Sequence, residues 1–212
     1  MAKISNLELS QQAYSKVKSM IISKRLAPGQ KIVQDKLAES LGISRTPLRS
    51  ALQMLEGEYL IESAPKKGFI VKEFSDVEIL EIYDCRMALE GTAVRLYTGL
   101  APSTEIAGLK RLFKPFLKGP INIERYQKAD SRFHESIIHG CGNSFLSKLF
   151  QQGNLLVFID IIGLVRPPEE TISEHMEIIA AIEQKNVDLA EKLAKAHLNK
   201  SKDLILRRLI KS

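Results

Sequence analysis

Three histidines and one aspartate have the chemistry of metal ligands and fall on apolar stripes of separate predicted helices. Asp130 and His134 are four residues apart, so they share one face of a helix with apolar neighbours. His175 and His197 each lie on the apolar stripe of a later helix. His139 follows His134 by five residues, which places it about 140° away around the helix, and it should not join the cluster.

An inward-facing carboxylate such as that of Asp130 needs a partner, because an isolated buried charge is costly. The residues leave two alternatives open. Three imidazoles and one carboxylate could hold one divalent metal ion per chain, with Zn²⁺ and Ni²⁺ the first candidates and Mn²⁺ a further one. The same groups could instead form a hydrogen-bonded Asp–His core network. We expect Asn143, which is close in sequence, to be a helix N-cap and not a ligand.

A further candidate for ligand binding is Arg86, which lies on the apolar stripe of the helix that opens the second half of the chain. An inward guanidinium can capture a carboxylate through two parallel hydrogen bonds. The alternative is an intrahelical ion pair with Glu90, four residues further on. The residues by themselves do not separate these two interpretations.

Composition indicates an ordinary globular protein. The chain has 212 residues, of which 44% are hydrophobic and 26% charged. Two cysteines fit a reducing compartment, and the first residues lack the apolar segment of a signal peptide. The longest apolar stretch, Leu155–Val165, contains Asp160 and is too short to span a bilayer. We therefore expect a soluble, cytoplasmic protein with no membrane partner.

Positive charge is concentrated in the first third of the chain. Residues 1–74 hold 12 Lys/Arg against 7 Asp/Glu, whereas residues 75–212 hold 19 against 18. A localised positive field suits DNA, although a solvated basic surface without a partner would have the same composition. Ser75 and Glu78 have the spacing of a capping box that opens a long helix. We therefore predict a domain boundary here, with domains at 1–74 and 75–212.

Hydrophobic periodicity predicts different architectures in the two parts. The first part has predicted helices at 11–24, 34–41 and 45–57, then two short strands at 59–62 and 69–71 joined by a hairpin loop. The second part has six predicted helices, near 76–99, 103–117, 122–140, 143–163, 168–184 and 187–210. The fold class is therefore mostly α: an N-terminal winged helix-turn-helix with a small β wing, then an antiparallel all-α bundle of about six helices.

Residues 34–57 have the layout of a helix-turn-helix, with a short first helix, a turn at Gly42 and a second helix that opens with hydrogen-bond donors. The N-terminal end of such a helix enters the major groove, where Arg can bind guanine with two hydrogen bonds. Basic residues in the wing suit backbone or minor-groove contacts. An ordinary helical hairpin with a solvated basic rim is the alternative. The candidate DNA-binding residues are Ser44, Arg45, Thr46, Arg49, Lys66, Lys67 and Gly68.

Several motifs resemble the GntR family of winged-helix regulators. They are Leu26-x-Pro28-Gly29, then Leu37-Ala38-x-x-Leu41-Gly42-Ile43-Ser44-Arg45-Thr46-Pro47-Leu48-Arg49-x-Ala51-Leu52, and Gly68-Phe69. The resemblance implies DNA contacts at Ser44, Arg45, Thr46, Arg49 and Gly68. Some members also contact DNA through an Arg at the position of Asp35. An acidic residue cannot repeat that contact, so their operator sequences should not be transferred to this chain.

The second part resembles the FCD effector domain, which accompanies this winged helix in one GntR subfamily. The motifs that carry the resemblance are Asp130-x-x-Phe133-His134, Glu174-His175-x-x-Ile178 and Ala190-x(6)-His197. Metal-binding members use one Asp and three His, which match Asp130, His134, His175 and His197. An Arg in the first helix of such domains often binds an acidic effector, and this implies the same role for Arg86.

The function that follows is sequence-specific regulation of transcription and not enzymatic catalysis. The resemblance implies a homodimer on a palindromic site in double-stranded DNA, with an affinity controlled by a small carboxylate such as a sugar acid. One rival is a constitutive repressor with a purely structural metal. Another is a metal-dependent hydrolase with a DNA-binding appendage, but the sequence offers no convincing general base, nucleophile motif or phosphate loop near the predicted metal.

Overall fold

A computed structural model of the protein describes residues 5–64 and 68–211. Two predicted DNA-binding residues, Lys66 and Lys67, lie outside the described residues. The chain forms two compact units, and the boundary between them follows Glu73.

The first unit has the winged helix-turn-helix fold that the sequence predicts. The described part of this unit has, in chain order, α1 (Asn6–Ile22), β1 (Lys31–Ile32), α2 (Gln34–Leu41), α3 (Arg45–Gly57), β2 (Ile61–Ala64) and β3 (Gly68–Val71). The strands form an antiparallel sheet in the order β1-β3-β2, with Ser63 opposite Phe69. Strand β1 was not predicted, because two residues are too few to show an alternating pattern.

The turn between α2 and α3 depends on Gly42, whose φ of 67° lies in the left-handed region that favours glycine. Ile43 then donates its backbone N–H to the carbonyl of Ala38. This sharp turn lets α3 bury Leu48 and Leu52 completely within the first unit. Because the apolar stripe of α3 is buried, its polar stripe faces solvent.

The second unit is an all-helical bundle, as predicted from the sequence. Its described helices are α4 (Asp76–Leu100), α5 (Ser103–Phe113, continued by a 3₁₀ turn at Lys114–Phe116), α6 (Ile123–Gly140), α7 (Ser144–Gln152), α8 (Leu155–Ile162), α9 (Pro168–Glu183) and α10 (Val187–Lys211). Ser75 and Glu78 form the predicted capping box of α4. Helix α10 packs along α4 and against α9. No single described helix is long and apolar enough to cross a membrane, although α7 and α8, bent by 46°, pass that test as a pair.

The helix predicted at 143–163 is wrong in one respect, because the structure divides it into α7 and α8. Asn154 has a φ of 49°, and this left-handed residue stops the helix although the apolar pattern continues beyond it. Asn143 is the N-cap of α7, as predicted, and its side chain accepts the backbone N–H of Leu146 at 3.0 Å.

Close packing between α4 and α6 fixes the helix that carries Asp130 and His134. A Cβ atom at Gly140 in α6 would lie 2.5 Å from Cε2 of Tyr97 in α4. The Tyr97 side chain is 1% exposed and has no free space to move into. Glycine at this position therefore sets how closely the two helices approach.

We predict that Gly140→Ala lowers the free energy of unfolding of the second unit by about 1–3 kcal/mol, as overpacking of a tight core does. The matched control is Gly99→Ala in α4, where an added Cβ would meet nothing within 4 Å. That change should raise stability by roughly 0.5–1 kcal/mol, because alanine loses less backbone entropy on folding. Urea unfolding followed by circular dichroism measures both. Equal urea midpoints for Gly140→Ala and Gly99→Ala would contradict the close approach of α4 and α6 at Gly140.

Candidate metal centre and nucleic-acid interface

Three helices of the second unit bring together the four predicted metal ligands. Helix α6 carries Asp130 and His134, α9 carries His175 and α10 carries His197. One potential ligand atom from each residue lies within 4.8 Å of the other three. All four residues are buried, with exposed fractions between 0% and 7%. The structure therefore contains a buried Asp/His cluster that could hold a metal ion, and His139 is exposed outside it.

Two ring nitrogens in this cluster have no hydrogen-bond partner among the described residues. Nε2 of His175 lies 3.2 Å from Oδ1 of Asp130, and Nε2 of His134 lies 3.9 Å from Oδ2. Neither contact is a hydrogen bond, and both nitrogens are buried. A hydrogen-bonded Asp–His network would satisfy these atoms, since buried polar groups almost always find a partner. The donor set therefore fits a metal ion better than it fits the network.

The environment keeps two of the histidines in the form that binds metals. Burial is the main reason that the pKa of His175 lies well below its usual value, and positive charge on neighbouring groups acts in the same direction. Burial also lowers the pKa of His197, against the effect of its hydrogen bond with Glu174. Both imidazoles are therefore neutral at pH 7, and a neutral imidazole is the form that coordinates a cation.

Aromatic rings line one side of the cluster. The ring of Phe113 stacks on His175 with 4.5 Å between centroids, and Phe133 meets the same imidazole edge-on at 4.8 Å. On its Nδ1 side, His175 lies 3.1 Å from the hydroxyl oxygen of Tyr126. This hydroxyl is also within 2.7 Å of Oγ1 of Thr171. The ring of His175 is therefore held by two aromatic rings and at one nitrogen.

A small cavity of about 30 Å³ adjoins the cluster. Asp130, His134 and His197 line it together with two arginines, Arg86 and Arg166. A single water molecule needs roughly 10–15 Å³ of such space, so the cavity has room for little more than one carboxylate group in this conformation.

Both interpretations of Arg86 that the sequence leaves open have support in the geometry. Arg86 forms the intrahelical pair with Glu90, since Nε lies 2.6 Å from Oε1 and both side chains are 3% exposed. Arg86 also lines the cavity beside Asp130. The pair with Glu90 uses Nε of the guanidinium.

Sequence reasoning missed the part played by Arg166. This residue lies in the segment between α8 and α9, is 7% exposed, and forms two hydrogen bonds with the carboxylate of Glu174. Glu174 in turn lies 2.7 Å from Nδ1 of His197. A loop residue shows no periodicity, so no signal in the sequence indicated that Arg166 turns inward. Glu174 precedes His175 directly, and its position was visible only as part of the FCD motif.

In the first unit, a cleft of about 790 Å³ lies between α3 and the wing. Four of the predicted DNA-binding residues line it: Arg45, Thr46, Arg49 and Gly68. Ser44 stands at the N-cap position of α3, but its side chain makes no capping hydrogen bond. Its hydroxyl is therefore not engaged by the helix end.

Asp35 of α2 pairs with Arg45 of α3, since Oδ1 of the first lies 3.3 Å from Nη1 of the second. Both side chains are largely exposed, at 72% and 68%. An exposed pair of this kind is weak, and water or DNA can replace either partner. The acidic residue thus lies beside an arginine of the cleft.

The cleft also contains polar residues that sequence reasoning did not select. Ser50 and Gln53 line it, following Thr46 and Arg49 on the same face of α3. These four positions recur at intervals of three and four residues, so the helical period could have found them. Gln34 of α2 lines the cleft as well, but its approach to the wing depends on tertiary packing. Glutamine can bind adenine with two hydrogen bonds.

Comparison with known proteins agrees with this architecture. A family model described as bacterial regulatory proteins, gntR family, matches residues 9–71, and the FCD domain model matches residues 81–200. The uncharacterized HTH-type transcriptional regulator YdhC of Bacillus subtilis (strain 168) is 29% identical over 194 residues, which cover 89% of this chain and 87% of that protein. The HTH-type transcriptional repressor GlaR of Escherichia coli (strain K12) is 26% identical over 204 residues, covering 89% and 92%.

A solved structure shares the fold. It is a GntR transcriptional regulator from Rhodococcus sp. RHA1, with a TM-score of 0.76 and 20% identity, and the match covers 93% of this chain and 97% of that one. The family models extend over both units of the chain, and its relatives are transcriptional regulators. The chain therefore belongs to the GntR family of DNA-binding transcriptional regulators, in the group with an FCD domain.

Proposed function

We propose that this regulator senses a small carboxylate bound beside a divalent metal ion and that the effector changes its affinity for a palindromic operator. The observation that carries the proposal is the pair of buried nitrogens without hydrogen bonds, Nε2 of His134 and of His175, beside the Asp130 carboxylate. A homodimer is part of the proposal, because one recognition helix contacts too few bases for specificity in a genome.

Asp130, His134, His175 and His197 would hold the metal. Three nitrogen donors and one oxygen donor suit Zn²⁺ or Ni²⁺, and Mn²⁺ is a further candidate. When bound, the ion would neutralise the buried carboxylate and offer a coordination position to an oxygen ligand. The four residues come from three helices, so their shared ligand would also stabilise the packing of α6, α9 and α10.

We predict one metal ion per chain in protein purified without chelator or an affinity-tag metal, measured by elemental analysis. His175→Ala should lose stoichiometric uptake. It should also lose the gain in stability that added metal gives, which is about 2.7 kcal/mol at a free metal concentration one hundred times the Kd. The stability of each variant is measured with and without metal. The difference separates the loss of metal-dependent stability from the destabilisation caused by the cavity that the substitution leaves.

The matched control is His139→Ala, because His139 is exposed and pairs only weakly with Glu135, at 3.7 Å. Its metal content and its metal-dependent stability should equal those of the wild type. Failure of the wild type to take up Zn²⁺, Ni²⁺ or Mn²⁺ in stoichiometric amount would restore the Asp–His core network as the better interpretation.

The size and charge of the cavity define the effector that we propose. Asp130, Glu90 and Glu174 contribute three carboxylates around the cluster, and Arg86, Arg166 and Lys200 contribute three cationic groups. A divalent ion would leave an excess of positive charge, which a carboxylate effector would reduce. The cavity of about 30 Å³ admits the carboxylate group, and a longer acid requires the segment at Gly163–Arg166 to move.

We predict that acetate or glycolate raises the thermal midpoint of the Zn²⁺-loaded protein more than that of the metal-free protein. Arg86→Lys should reduce the shift, because an ammonium cannot form the two parallel bonds of a guanidinium. Arg95→Lys is the matched control in the same helix, since Arg95 is half-exposed and pairs with Asp188 and Glu191. Gluconate tests whether the cavity opens for a sugar acid.

Operator binding in the presence of the same acids separates the sensor from a constitutive repressor. An acid that stabilises the metal-loaded protein should also change its affinity for operator DNA, because linkage requires different effector affinities in the two states. An operator affinity that none of the bound acids changes would favour the constitutive repressor with a purely structural metal.

For the DNA contacts we predict that Arg45→Ala and Arg49→Ala each reduce affinity for a cognate site by about 1–3 kcal/mol if each contacts a base. Arg25→Ala is the control, since Arg25 is exposed and does not line the cleft. Arg25→Ala also removes one positive charge, so its effect on affinity measures the loss of long-range electrostatic attraction to DNA alone. Fluorescence anisotropy at two salt concentrations measures the three variants. Unchanged affinity in the Arg45/Arg49 double variant would overturn this assignment.

A further inference from the structure

Two glutamates lie directly behind the Asp/His cluster, and each contacts one of its imidazoles. Oε2 of Glu90 lies 2.5 Å from Nδ1 of His134. Oε2 of Glu174 lies 2.7 Å from Nδ1 of His197. We propose that Glu90 and Glu174 are positioning residues of the metal centre, each of which fixes the proton and the orientation of one imidazole. This inference rests on the proposed binding of a metal.

Both carboxylates accept hydrogen bonds from a buried arginine, since Arg86 donates to Oε1 of Glu90 and Arg166 donates to both oxygens of Glu174. Each glutamate also contacts Nδ1 of one imidazole, that of His134 or that of His197. A carboxylate paired with a guanidinium accepts hydrogen bonds, so each imidazole donates from Nδ1.

A neutral imidazole carries one proton, so a proton on Nδ1 leaves the lone pair on Nε2 free to coordinate a metal. Nε2 of His134 is one of the two nitrogens without a hydrogen-bond partner, and it is directed toward Asp130. Nδ1 of His197 also lies 3.4 Å from a nitrogen of Arg166, which can only donate. The contact with Glu174 is much shorter, so it decides the position of the proton on His197.

Each glutamate is anchored by a buried arginine. Arg86 occupies the second oxygen of Glu90, and Arg166 binds both oxygens of Glu174. Arg166 is itself fixed by a hydrogen bond from Nε to Oγ of Ser201 at 3.2 Å. These bonds stop the carboxylates from rotating away from the imidazoles. They also compensate two charges that would otherwise be costly to bury.

The pair formed by Arg86 and Glu90 is hard to explain as a device for folding alone. Both residues belong to α4, so their ion pair connects no second helix, and both are 3% exposed. Burial of such a pair costs desolvation energy that the pairing barely repays. Glu90 does contact a second helix through His134 of α6. Orientation of that ligand accounts for the position of Glu90, and ligating histidines commonly have such a carboxylate behind them.

The test is a Zn²⁺ titration of the full chain against a competing chelator. Glu90→Gln and Glu174→Gln keep the size of the side chain. Both carboxylate oxygens of each glutamate accept hydrogen bonds, from an arginine and from an imidazole. In the Gln variants an NH₂ group, which can only donate, replaces one of these acceptors. Each should weaken Zn²⁺ affinity about 10- to 100-fold. The matched control is Glu183→Gln in α9, since Glu183 is exposed and pairs with Lys110 at the surface. Its affinity should equal that of the wild type.

Co²⁺ absorption provides a readout that a purely structural role would not change. At saturating Co²⁺, both Gln variants should show visible bands shifted from those of the wild type, because the orientation and basicity of one ligand differ. The spectrum can also be measured for a variant that folds only when metal is present, because it is recorded at saturating Co²⁺. Zn²⁺ affinities within twofold of the wild type, or Co²⁺ spectra identical to it, would overturn the proposal. A wild type that binds neither ion would instead refute metal binding itself.

Discussion

Asp130 places a carboxylate among three imidazoles inside the second unit, and the rest of that unit is arranged around the cost of burying it. Two neighbouring ring nitrogens stay without hydrogen bonds although they lie within 4 Å of its oxygens. Polar groups left in this state cost free energy that packing must offset. A divalent cation would remove the cost at both nitrogens and at the carboxylate together, and the proposed binding of the ion would thereby be linked to the packing of the three helices.

Charged groups surround this centre in a fixed order. The imidazoles lie next to Asp130, the glutamates lie behind two of the imidazoles, and Arg86 and Arg166 lie behind the glutamates. Each of these two glutamates therefore has an arginine as a partner of opposite sign, as burial requires. The two arginines also line the small cavity, so the groups that hold the glutamates are the ones that the proposed effector carboxylate would meet. This shared lining would give the proposed metal and effector a physical route for linkage.

In the DNA-binding unit, the apolar residues beneath α3 are buried in the core. Arg45, Thr46 and Arg49 therefore lie on one wall of an open cleft. Asp35 pairs with Arg45 in this structure, at the position where the family resemblance implies an Arg in some members. Its charge disfavours nearby phosphates, so we expect base preferences at this end of the helix to differ from those members.

The sequence by itself determined the local features of both units. Helical periods, the turn at Gly42 and the capping box at Ser75 are properties of neighbouring residues, and the spacing of Asp130 and His134 places both on one helix face. Family motifs then indicated the winged helix-turn-helix and the FCD bundle. The helical period of the apolar residues shows which side of each helix is buried. It does not show which helices pack against each other through those buried sides.

Only the tertiary structure decided the contacts between those faces. It placed Glu90 behind His134 and Glu174 behind His197, turned Arg166 inward from a loop, and set the cavity at about 30 Å³. It also stopped a predicted helix at Asn154, where the apolar pattern continues through the break. These features depend on residues far apart in the chain or on one left-handed backbone angle. Local periodicity carries no information about either, because it reports the environment of a helix face averaged over several turns.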